Sequence, residues 1–274
     1  MIHHFISLLC HDISEGIIRK WKYFVVAAAL FSFTAFVFSK NVNSFFAYNH
    51  INSKAGVLDF LINVFAGNEP YDPEAHKGIS LPMIWIVFHA LLFSLVGFYI
   101  KDDLKKNAAP FILRVKSRWQ WWTSKFVWCV LTVLIYYLLF FAVLCIFGSF
   151  SFTAHEKVAL DFFDLGISGV KNSDIFLASF ILPMIISVSI AVLEAAVSLI
   201  IKPFYCFVFV VCYLAASAFH CNLFLLFNFA MLNRNNLFSS YDKITFYNGV
   251  LISAILIVLS YALGIFVIKK KDIL

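Results

Sequence analysis

Charge is scarce in this chain. Asp, Glu, Lys and Arg make up 13% of its 274 residues, about half the share of a soluble domain, and its mean hydropathy is +0.90. A water-soluble globular domain is excluded. Glycine is sparse too, and none of the ten belongs to a G-x-x-x-x-G-K-[ST] run, so the chain carries no P-loop for hydrolysing ATP itself. The six cysteines (Cys10, Cys129, Cys145, Cys206, Cys212 and Cys221) show no C-x-x-C and no Cys/His ligand spacing. They read as small apolar residues, with no metal expected. The apolar runs also lack an H-E-x-x-H pair, a G-x-S-x-G elbow and paired aspartates, so an intramembrane enzyme is not expected.

Long apolar runs are what the chain has. Six are long enough, or nearly so, to cross a ~30 Å hydrocarbon layer as helices: Tyr23–Ser39, Leu81–Ile100, Phe126–Gly148, Ile175–Ile201, Pro203–Phe219 and Tyr247–Ile268. They are continuous and do not alternate, which favours helices over membrane barrel strands. The expected fold is an all-α polytopic membrane protein with its transmembrane domain over residues 23–268. Pro183 predicts a kink in the fourth run.

The basic residues are distributed unevenly. Fourteen of the 21 Lys and Arg lie in segments 1–22, 101–125, Lys202 and the tail 269–274. With both termini cytoplasmic, all four lie inside, as the positive-inside bias requires. The net charge of +6 then reads as attraction to an anionic inner leaflet and not as a nucleic-acid patch. The expected location is the cell membrane.

Residues 1–22 are too polar to cross the bilayer and are strongly patterned. Ile2, Phe5, Ile6, Leu9, Ile13 and Ile17 share one helical face, and His3, His4, Ser7, His11, Asp12, Ser14 and Glu15 the other. An interfacial helix is predicted, turning into the first span at Trp21. Residues 1–39 do not read as a signal peptide, because the segment before the apolar run is long and "FSKNVNS" lacks a small-x-small cleavage site. Outside, Val57–Phe65 is predicted as a short helix lying on the surface and stopped by Gly67. The acids and His76 of "NEPYDPEAHKG" (68–78) read as a solvated loop, without regular ligand spacing. After the fifth run, "LFLLFNFAML" (223–232) is apolar but too short to span, which predicts a segment that breaks at the outer surface and dips back.

The connection 101–125 is the most informative. Pro110 suits a first helical position and starts a short helix, "PFILRVK". Ser117 and Gln120 form an S-x-x-Q capping box that starts the next helix. Trp119, Trp121, Trp122 and Trp128, with Lys125 among them, read as an aromatic belt anchoring that helix at the membrane surface, as Trp21 does for the first span. Phe111, Ile112 and Leu113 are left on a protruding helix, where exposed apolar residues call for a partner. Two polar residues inside the runs stand apart as path residues. Glu194 is the only carboxylate in a span, read first as pairing near the interface with Lys202 or another helix. His89 is read as a hydrogen-bonded packing residue.

This organisation resembles a type-2 ABC exporter permease subunit. The shared features are the interfacial N-terminal helix, the six spans, the protruding helix between spans two and three, and the broken segment after span five. Three stretches, "LDFLINVFAGNEPY" (58–71), "LPMIW" (81–85) and "ILRVKSRWQWWTSKF" (112–126), look like a group of such permeases from Gram-positive bacteria. The resemblance implies that Pro110, Phe111, Ile112, Leu113, Arg114 and Lys116 form a coupling helix docking on a separate ATPase subunit. It also implies ATP and Mg on that partner, no cofactor on this chain, a second permease chain as homo- or heterodimer, and small amphipathic or antimicrobial peptides as substrates. Export of a lipid, drug or glycan, and an ATP-independent secondary transporter, are the alternatives.

Overall fold

The computed structural model describes residues 2–48, 50, 55–69, 81–104, 118–148, 170–239 and 242–270, with only the backbone of 2–4. Among these residues every regular element is helical. Helix α1 (Ile2–Ile13) runs into a π-helical turn, Ser14–Ile18. There follow α2 (Trp21–Tyr48), α3 (Val57–Phe65), α4 (Met83–Asp103), α5 (Arg118–Phe147), α6 (Asn172–Ser198), α7 (Pro203–Phe219) and α8 (Phe246–Lys270). Five of them, α2, α4, α5, α6 and α8, are long and apolar enough to cross a membrane, and α7 is a shorter apolar helix of 17 residues. The protein is an all-α, membrane-embedded polytopic chain.

The first span extends nine residues beyond the predicted Ser39, to Tyr48, and keeps one buried stripe throughout: Ala27, Phe31, Ala35, Phe38, Val42 and Phe46. That spacing of three and four is a single helix face. Its other faces stay open, with Phe33 and Phe36 exposed. Pro183 has no N–H to donate to the turn before it. The helix absorbs this with a π-helical turn at Leu177–Ile181, where the Leu182 N–H donates to Leu177 O.

The start of α1 and the end of α8 lie at one end of the bundle. Arg118, at the start of α5, donates to the carbonyl of Lys269 (2.8 Å), at the end of α8, and α1 packs along the start of α5. We call this the terminal end. At the far end, α3 is not on the surface as expected. Val57, Leu58, Phe60, Leu61, Ile62, Val64 and Phe65 are all buried, because α3 is wedged into the bundle. The Phe65 ring sits 5.3 Å from Phe88 of α4 and 6.0 Å from Phe140 of α5. Asp59, the acid in this helix, is accommodated because its carboxylate accepts the Gly56 N–H at 2.8 Å. Gly67 ends the excursion with φ +71°, a conformation glycine adopts without Cβ strain.

The segment after α7 also turns inward. It forms two 3₁₀ turns, Leu226–Ala230 and Leu232–Arg234, with Phe227, Phe229, Met231 and Leu232 buried. Phe227 packs 5.7 Å from Trp85, whose indole N–H donates to Ala230 O at 3.2 Å. The Asn233 N–H donates to Ala66 O at 3.0 Å, so the two inserted segments close against each other. Irregular backbone at this depth is tolerated because protein covers it.

Candidate functional site

Among the described residues, a buried network of charged side chains lies at the terminal end. Lys125 of α5 is buried between two carboxylates: it is ion-paired with Asp12 of α1 and, at 2.5 Å, with Asp103 of α4. All three side chains are almost completely enclosed. Tyr99 donates to Asp12 at 2.8 Å, Ser124 donates to the other oxygen of Asp12, and His11 lies 3.3 Å from Asp103. Lys125 also sits over the rings of Tyr99 and Trp121, 4.9 and 5.1 Å from their centroids. Each of the four carboxylate oxygens thus has a polar partner, which a buried ion pair needs to offset its desolvation.

Three elements meet in this network. Leu8, Asp12 and Gly16 form the buried face of the N-terminal segment, and a side chain at Gly16 would overlap the Trp128 indole. Asp12, expected on the solvated face, is therefore turned inward, while Ile6 on the expected apolar face remains exposed. Asp103 is the last residue of α4 and Lys125 lies in the second turn of α5. Between them runs the connection that holds Pro110, Phe111, Ile112, Leu113, Arg114 and Lys116, all outside the described residues, as are Ser117 and the loop with His76.

The tryptophans divide into two groups. Trp21 and Trp119 are exposed, 56% and 46%, as anchors at a membrane surface would be. Trp121, Trp122 and Trp128 are buried in the protein, which corrects the expectation of a lipid-facing belt. Trp122 fills the space left by Gly264 and donates to Tyr261 O at 3.0 Å, joining α5 to α8. Trp128 packs on Tyr99 with ring centroids 4.2 Å apart. Trp121, Lys125, Trp128, Thr132 and Tyr136 recur at three to four residues on one face of α5, and that periodicity is the sequence signal for an inward stripe.

His89 is enclosed between Phe65, Trp85, Phe88 and Phe227. Its Nδ1 donates to Trp85 O at 2.8 Å, which matches the packing role, while Nε2 meets no hydrogen-bond partner. Glu194 departs from expectation. Its carboxyl is not paired with Lys202; neither oxygen has a hydrogen-bond partner, and the group lies against Gly97 of α4, where a Cβ would overlap it. Glu194 also lines a largely apolar cavity of about 640 Å³ between α6, α7 and α8. Among the described residues, no group of three or more His, Cys, Asp and Glu is placed to hold a metal ion.

No curated protein and no solved structure matches the chain with significance. One family does, over nearly the whole length from the start of α2. The match covers residues 23–274, and the chain belongs to DUF2705, a family of proteins of unknown function.

Proposed function

We propose that this chain is the transmembrane subunit of an ATP-driven exporter in the cell membrane. It crosses the bilayer six times with both termini cytoplasmic, pairs with a second permease chain, and takes its energy from a separate ATPase that binds ATP and Mg. The observation that supports this reading most is the Asp12–Lys125–Asp103 network. It ties the residue that enters the connection 104–117, a residue just beyond it, and the N-terminal helix into one buried unit. A push delivered to that connection from below would move α1, α4 and α5 together, as coupling between ATP hydrolysis and helix movement requires. The absence of a P-loop in the sequence supports the reading that hydrolysis belongs to a partner. Small amphipathic peptides are the preferred substrate class, with lipids, drugs and glycans as further classes.

The test replaces Phe111, Ile112 and Leu113 together with serine. Burial of each such side chain in a docking groove is worth roughly 1.5–3 kcal/mol. The variant should therefore lose its ATPase on purification, or hydrolyse ATP without transport, while inserting normally. Normal binding and coupling would sink the coupling role. A second reading, an ATP-independent secondary transporter, draws on the unpartnered Glu194 in a membrane cavity. Substrate accumulation in liposomes holding this chain alone, driven by a proton gradient, would favour it.

A further inference from the structure

The cavity between α6, α7 and α8 runs lengthwise along the helices. On α7 it reaches from Tyr205, in the first turn, to Tyr213, about two turns further on. That stretch of helix rises about 12 Å, most of the depth of one leaflet, half of a ~30 Å hydrocarbon layer. Its volume of about 640 Å³ is within the range of small-molecule sites. Toward the far end it is closed by Phe224 and Leu226. The Tyr213 hydroxyl fixes that closure, donating to Phe224 O at 2.5 Å and accepting the Leu226 N–H at 2.8 Å. Ile201, Tyr205 and Phe209 stay exposed, so the cavity opens at the terminal end and sideways, where lipid would lie.

The wall offers no charge. Glu194 belongs to the lining, but both its oxygens are fully enclosed and its carboxyl lies against Gly97 of α4, turned from the cavity space. Cations stand instead at the terminal mouth. Lys101, in the last turn of α4, donates to the rim carbonyl of Ile201 at 2.8 Å. An ammonium carries three donors, so Lys101 keeps two. Lys202 follows Ile201 as an exposed residue at the cap of α7. Among the described residues, no carboxylate pairs with either lysine. The acids after Lys101 face the other way: Asp102 lines a separate cleft with His11 and Glu15, and Asp103 is held by Lys125.

An apolar slot nearly one leaflet deep, with ammonium groups at its surface rim, matches an acyl chain that carries an acidic headgroup. Lipid tails are as apolar outside the slot as within it, so the chain sets position by packing. The lysines set preference, because they favour a phosphate with no cation of its own. A zwitterionic headgroup gains less, and a soluble anion makes no use of the slot. We propose that this cavity binds one acidic phospholipid from the leaflet at the terminal end, with an acyl chain in the slot and its phosphate at Lys101 and Lys202. The proposal rests on the membrane-embedded fold and not on the exporter reading.

The test is native mass spectrometry of the full chain, purified in non-ionic detergent and titrated with dioleoyl-phosphatidylglycerol or with dioleoyl-phosphatidylcholine. One phosphatidylglycerol should bind at least about tenfold more tightly than phosphatidylcholine, as two basic side chains facing one acidic headgroup warrant. Lys101→Gln with Lys202→Gln should remove that preference and leave phosphatidylcholine binding as it was, since glutamine can still donate to Ile201 O. Leu193→Trp with Val197→Trp, at partly exposed lining positions one turn apart on α6, should block the slot and abolish tight binding. Glycerol phosphate, the headgroup without chains, should displace nothing. Equal affinity for the two lipids, an intact preference in the lysine variant, tight binding in the tryptophan variant, or displacement by glycerol phosphate would each overturn the assignment. The exporter reading stands or falls separately, on the serine substitutions at 111–113.

Discussion

Lys125 is where one residue decides most. Two aspartates converge on it from different helices, and without it they would face each other inside the protein. Removing one partner of a buried pair costs about 3–5 kcal/mol because the charge left behind is uncompensated. Lys125→Met should therefore lower the thermal unfolding temperature of the detergent-solubilised chain sharply. Asp12→Asn should be milder, because Asp103 still neutralises Lys125 and the amide can still accept from Tyr99. Equal losses in the two variants would mean that the network holds the N-terminal helix by shape and not by charge. None of this was legible from the residues singly. Asp12, Asp103 and Lys125 lie far apart in sequence, and each looks like an ordinary charge at a membrane surface. The stripe of tryptophans around Lys125 carried the available hint. The belt reading missed it because a tryptophan facing lipid and one filling the space beside a glycine have the same local sequence.

At the level of elements, the long helices were readable because a run of apolar residues has one solution in lipid: a helix that satisfies its own backbone. The inserted elements were half readable. Val57–Phe65 was recognisable as a helix and Gly67 as its stop, but an apolar face signals a partner without naming it, and the partner here is the bundle interior and not the membrane surface. The break after α7 followed from a run too short to span. What holds that break is Arg234, fully buried, which donates to Ala218 O (2.7 Å) and to the carbonyls of Ser217 and His220 at the C-terminus of α7, to Asn68 O (3.1 Å) and to Asn228. A cation at a helix C-terminus also opposes the negative end of the helix dipole. Arg234→Met keeps the apolar stem and removes every donor. Its expected result is faster backbone hydrogen exchange across Leu226–Arg234 and at Asn68, with protection of the α5–α8 contact unchanged. Uniform loss of protection would show that the segment is part of the global core and not a separately held insert.

For the whole molecule the open quantity is how many helices cross. Five qualify by length and composition, whereas α7, at 17 residues, measures about 26 Å against a hydrocarbon layer of ~30 Å. The proposal of a sixth crossing draws on its neighbours. Lys101 holds the Ile201 carbonyl, just before α7 begins, at the terminal end, and Arg234 holds the last carbonyls of α7 at the far end. The missing few ångströms are within what local bilayer thinning accommodates. Six crossings with the basic ends inside give a two-probe prediction. In a background with Cys10 and Cys212 replaced, a membrane-impermeant maleimide applied to intact cells should label Ser173→Cys, exposed in the first turn of α6, and spare Lys270→Cys at the end of α8. Cys221 can stay in that background, because burial raises its thiol pKa in spite of the opposing pull of Arg234, and a thiol held protonated alkylates slowly. Labelling at both probes would mean that α7 turns back without crossing, leaving five crossings and the two termini on opposite sides. Labelling at Lys270→Cys alone would invert the protein, carry the Asp12–Lys125–Asp103 network to the outer surface, and remove the connection 104–117 from the reach of any cytoplasmic ATPase.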